Sequence, residues 1–133
     1  MSYGSSVSLD VPFSEAVARV RAALAGQGFG VLTEIDVTAT LKAKLGEQIE
    51  DYVILGACNP PLAHRALAAD RSIGLLLPCN VVVRATPAGT LVEALDPQIM
   101  ATLTGRPELK PVADEAARRL ATVLASLKED GHE

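Results

Sequence analysis

Two tripeptides carry the residues best suited to chemistry: Cys58-Asn59-Pro60 and Pro78-Cys79-Asn80. Each sets a thiol beside a carboxamide, and both lie in the most apolar stretch of the chain, Tyr52 to Ala85. Thiolates are nucleophiles and ligands for soft metals, and carboxamides both donate and accept hydrogen bonds. His64 follows in the same stretch and is the remaining candidate ligand-binding group.

Cys58 reads as the end of a strand and the start of a helix. A thiol there meets free backbone N–H groups and the positive end of the helix dipole, a setting that makes thiols reactive. The plain alternative is a small apolar residue filling space. Cys79 shares a strand face with Val81 and Val83 and by itself reads as core. If the two strands are neighbours and both thiols lie near one end, a redox pair or a soft-metal site is open to them. Two thiolates do not complete a zinc site, which takes four ligands, and their separation matches no CxxC motif. No metal site and no cofactor is therefore assigned.

His64 either approaches Cys58 from the following helix or faces solvent. Asn59 suits a helix N-cap, with Pro60 at the first helical position. Asn80, beside Pro78, suits a bulge or unusual backbone angles. As a buried amide in an apolar strand it needs partners, from loop backbone or from a ligand. Asp96 reads as a cap for the segment after Pro97. Glu34, Asp36, Glu47, Glu50 and Asp51 read as solvated, with no paired-carboxylate spacing. Nucleophile-elbow, phosphate-loop and dinucleotide signatures are absent; Gly26, Gly28 and Gly30 follow a helix instead of preceding one. His132 falls in a tail, Asp130 to Glu133, expected to be loose.

The elements that hold these residues follow from periodicity. Val7, Leu9 and Val11 alternate in a first strand over 5–10. Ser14 is placed to cap a helix whose Phe13, Val17, Val20 and Leu24 share a face and which stops near Gly26 to Gly28. In Phe29 to Val37 the odd residues share one strand face, with Glu34 and Asp36 on the other. A short helix over 38–45 ends at Gly46. Tyr52 to Cys58 is apolar on both faces, as expected of a strand covered on both sides or hidden by a partner. A short helix runs to about Ala69, and Asp70 to Ser72 turn out of it. Pro78 cannot donate to a sheet ladder, so a strand must bulge, end or begin there. Leu75 to Leu77 is expected to approach the sheet, and Cys79 to Arg84 to be the strand proper. Thr86-Pro87-Ala88-Gly89 turns into a hairpin arm over 90–95. A short helix follows with Ile99, Met100 and Leu103 inward. A long one then carries Val112, Ala116, Leu120, Val123, Leu124 and Leu127 on one stripe.

The sum is an α+β fold: an antiparallel sheet of about five strands, with an N-terminal helix, a long C-terminal helix and short helices. The 133 residues suit one domain, 1–133. The net charge of −4 and the scarcity of aromatics, with no Trp, argue against nucleic acid as a partner. The same acidity gives no attraction to anionic lipid, and no apolar run reaches the roughly 20 residues of a membrane span. No signal-peptide pattern opens the chain, so a cytoplasmic protein with free thiols is expected.

The sequence Gly56-Ala57-Cys58-Asn59-Pro60, followed by Leu75 to Val83 and then Asp96-Pro97, resembles the bacterial and archaeal family called domain of unknown function 302. The likeness runs from about Asp10 to Leu127. It implies a curved antiparallel sheet of the TATA-binding-protein-like type with a long C-terminal helix, and a homodimer. It implies no established activity, and a fold label does not carry DNA binding with it.

Three functional readings follow. The first is a dimeric binding or sensing module whose Cys/Asn site takes a small molecule, a thiol-reactive species or a soft metal ion. The second is a structural dimer in which the two motifs only shape a cap and a bulge. The third is a thiol enzyme with Cys58 as nucleophile, which needs an accessible, activated sulfur.

Overall fold

A computed structural model of the chain describes residues 3–130; residues 131–133, where His132 and most of the expected loose tail fall, lie outside the described residues. Five strands form one antiparallel sheet in the order β1-β5-β4-β3-β2. They are β1 Gly4–Leu9, β2 Gly30–Asp36, β3 Tyr52–Cys58, β4 Cys79–Thr86 and β5 Gly89–Leu95. The helices are α1 Phe13–Gly26, α2 Val37–Leu45, α3 Pro60–Ala69, α4 Ile99–Thr104 and α5 Lys110–Asp130, with 3-10 turns at Arg71–Leu76 and Pro107–Leu109. The α+β architecture expected from the periodicities is the one observed.

One face of the sheet is apolar across β1, β5, β4 and β3, through Val7, Val92, Val83 and Val53 in one cross-strand row and Ala94, Val81 and Leu55 in the next. α1 and α5 bury this face, supplying Val20 and Leu24 from one helix and Leu120, Val123 and Leu127 from the other. A second cluster forms beyond the end of the sheet, where Leu62, Ala66, Ile73, Met100 and Leu109 gather around Val112, Ala113 and Ala116. The stripe on α5 therefore serves two cores: its first half packs the short helices and its second half packs the sheet. The opposite sheet face is left without helices. Ile35, Ile54 and Val82 make a row across it, and Arg84 and Glu93 pair on it at 2.9 Å. Among the described residues no helix is long and apolar enough to cross a membrane.

Several local expectations need correction. Ser14 does not cap α1; the cap lies two residues earlier at Pro12, whose carbonyl accepts from Ala16 N at 2.9 Å. In β2 a bulge falls between Val31 and Thr33, so Leu32 is the extra residue. A bulge reverses the alternation beyond it. Phe29 and Val31 accordingly face the core, whereas Ile35 faces the other side and Glu34 and Asp36 pair opposite Leu55 and Val53. Asp36 is not merely solvated: its Oδ1 accepts from Ala39 N at 2.9 Å and caps α2. Leu75 does not approach the sheet but stands 89% exposed on a 3-10 turn. Leu103 points outward because α4 is short and seats only its Met100 side. Asp96 accepts from Gln98 N at 3.0 Å in a turn, and α4 begins only at Ile99.

Candidate functional site

The two cysteine-asparagine elements lie side by side, because β3 and β4 are antiparallel neighbours and Ala57 stands opposite Cys79. Cys58, the next residue of β3, closes that strand against Gly30 of β2. Cys79 opens β4 directly after Pro78, which follows a cis Leu77–Pro78 peptide bond. The strand begins where its proline could no longer interrupt the ladder.

Both thiols line one cavity of about 320 Å³. It occupies the seam between the two cores: Phe29, Ala57 and Cys79 come from the sheet side, and Leu62, Ala66 and Met100 from the helical side. Leu32 is a wall residue and also 69% exposed, so the cavity opens to solvent past the β2 bulge. Apart from Asn59 and the two thiols, the lining side chains are apolar, and none carries a charge.

Asn59 is buried at 7% exposure, and each end of its amide makes a hydrogen bond within the protein. Its Oδ1 accepts from Leu62 N at 3.3 Å, the N-cap bond expected of it, and its Nδ2 donates to Gln27 O at 3.4 Å. Arg119 of α5 donates to the same carbonyl at 3.0 Å, so the end of α1, the start of α3 and α5 are tied at one point. Among the described residues no buried side-chain nitrogen or oxygen lacks a partner.

Cys79 is buried, and that burial, with Cys58 nearby as a second cause, pushes its thiol up to about 11. At neutral pH it is therefore S–H and not a thiolate. Cys58 is half-buried, and both cysteines are free. The remaining candidates fall elsewhere. Pro60 starts α3 and is exposed, as is His64; neither lines the cavity. Asn80 is not a buried amide: it is exposed on the helix-free face, in a separate depression with Tyr3, Tyr52 and Glu93. Its strand has no bulge to satisfy, since β4 pairs in unbroken register on both sides. Among the described residues no group of three or more His, Cys, Asp or Glu is placed to hold a metal ion.

The motifs did not point to Gly56 or Leu32 as shapers of the site. A side chain at Gly56 would run into the Thr33 hydroxyl and come within 2.9 Å of Pro78 Cγ, so the strand crossing is tight there. A glycine inside an apolar strand is the available signal for such close approach. The bulge at Leu32 has no comparable signature in an evenly alternating segment.

A family profile described as a domain of unknown function, DUF302, matches residues 5–127. The chain also superposes with a TM-score of 0.87 on the crystal structure of an uncharacterized conserved protein DUF302 from Bacillus stearothermophilus. The two share 30% identity over 94% of this chain and 98% of that one. No curated protein matches the chain.

Proposed function

The chain belongs to the DUF302 family, a membership that brings a fold and no activity, and from it we propose a small-ligand binding or sensing module whose site is the cavity at Cys58 and Cys79. The observation that carries this reading is the convergence of both thiols on a single apolar cavity at the junction of two cores. Clefts of about 300 Å³ and upward, mostly apolar with a few polar groups, are where proteins hold small molecules. Asn59 serves as scaffold for the site, since its bonds go to Leu62 and Gln27.

The nucleophile reading has less support. Cys79 keeps its proton, and the imidazole of His64 stands outside the cavity wall. A soft-metal reading has two thiols and, among the described residues, no His, Asp or Glu grouped with them as a third ligand. Native mass spectrometry of protein purified without oxygen or chelator tests the proposal. The wild type is expected to carry a bound mass that the Cys58→Ser, Cys79→Ser double variant loses; an identical spectrum for the two counts against it.

The homodimer belongs to the same proposal. Its support is the helix-free sheet face, where Ile35 is half exposed beside Ile54 and Val82. Light scattering on Ile35→Lys should report a smaller mass than the wild type. A cytoplasmic setting, consistent with two free cysteines, and the likeness to the TATA-binding-protein fold complete this reading.

A further inference from the structure

We infer that the ligand of this cavity is an uncharged, apolar molecule of about ten carbon atoms, a fused two-ring system or its equivalent in bulk; this rests on the binding reading above and names its chemical class. Size is the first argument. An apolar cavity of about 150 Å³ accepts benzene. The seam cavity, at about 320 Å³, is about twice that and fits two fused rings.

Charge is the second argument. No wall side chain is ionic, so a carboxylate or ammonium would lose its water without gaining a partner. The wall is poor enough in polar groups that Cys79 holds its proton well into alkali. The third argument is hydrogen bonding. Both ends of the Asn59 amide are engaged within the protein, and no buried side-chain nitrogen or oxygen among the described residues waits for a partner. The side-chain groups left to meet a ligand's polar atom are the second N–H of Asn59 and the two sulfurs, and sulfur is a weak donor and a weak acceptor. Recognition therefore comes from shape and from apolar contact, with the thiols as soft, polarizable walls. Entry is past Leu32, whose exposed side chain borders the opening.

The test compares naphthalene with naphthoate, which share a ring system and differ in charge. Two quantities are read: the melting temperature, and the rate at which iodoacetamide alkylates Cys58, followed on its peptide by mass spectrometry. Naphthalene is expected to raise the melting temperature and slow Cys58 alkylation several-fold, while naphthoate changes neither. Ala63→Phe, which fills the cavity from α3, should abolish both effects of naphthalene while the protein still melts cooperatively. Leu67→Phe repeats the test from the next turn should Ala63→Phe fail to fold. Equal responses to naphthoate and naphthalene overturn the inference. So does the absence of any naphthalene response. If that absence comes with a bound mass that the double cysteine variant loses, only the ligand class is wrong. If no bound mass is found either, the binding reading falls with it.

Discussion

At Cys79, burial sets how the protein answers to alkali. The thiol is raised to about 11 in the folded chain, above its ordinary 9.0. Unfolding releases it to ionise at the lower value. The stability it protects is thus whole below pH 9 and is lost as the pH rises towards 11, by about 2–3 kcal/mol. Urea melts of wild type and Cys79→Ala from pH 8 to 11 should diverge over that window, with the steeper fall in the wild type. Asn59 is a different kind of residue. Asn59→Ala removes both the α3 cap and the tie to Gln27, and should cost about 1–2 kcal/mol, read as a lower melting temperature. The cap was legible in the sequence because Asn followed by Pro-Pro is a local signal. Its bond to Gln27, thirty-two positions away, was not, since it depends on where α1 ends. Asn80 shows the converse. Apolar neighbours suggested burial, but a strand alternates, and the even positions of β4 face away from the helices.

Elements were legible where periodicity ran unbroken. α5, β3 and the hairpin of β4 and β5 lie close to where their patterns placed them. The miss in β2 has one cause. A single extra residue at Leu32 moves Ile35 to the other side, and alternating sequence looks the same with or without it. Helix beginnings were less legible: α1 opens on a proline carbonyl where a serine stood ready. The β4–β5 turn offers a sharper test of element geometry. Gly89 has φ +144°, and a methyl group there would strike the carbonyl oxygen of Leu9. That oxygen is backbone within β1, so it has little room to yield. Gly89→Ala should therefore destabilise by about 1–3 kcal/mol, measured by denaturant melting. Ala88→Gly, in the neighbouring exposed position, should change stability by less than about 1 kcal/mol.

For the whole molecule, the family likeness and the antiparallel sheet could be read from the chain, but the division of the interior could not. The α5 stripe reads as a single surface, and only the placement of α3 and α4 beyond the sheet end reveals that it serves two interiors. Where they meet lies the cavity of about 320 Å³, bordered by the exposed Leu32. Hydrostatic pressure favours whichever state occupies less volume, and unfolding eliminates internal voids. This protein should therefore unfold on compression, with a volume change of about −20 to −100 mL/mol. High-pressure NMR should find the first signals to shift at Leu62, Met100 and Ala116, around the seam, before those of Val83 and Val92 at the centre of the sheet. A molecule lodged at the seam should make the same protein stiffer under load.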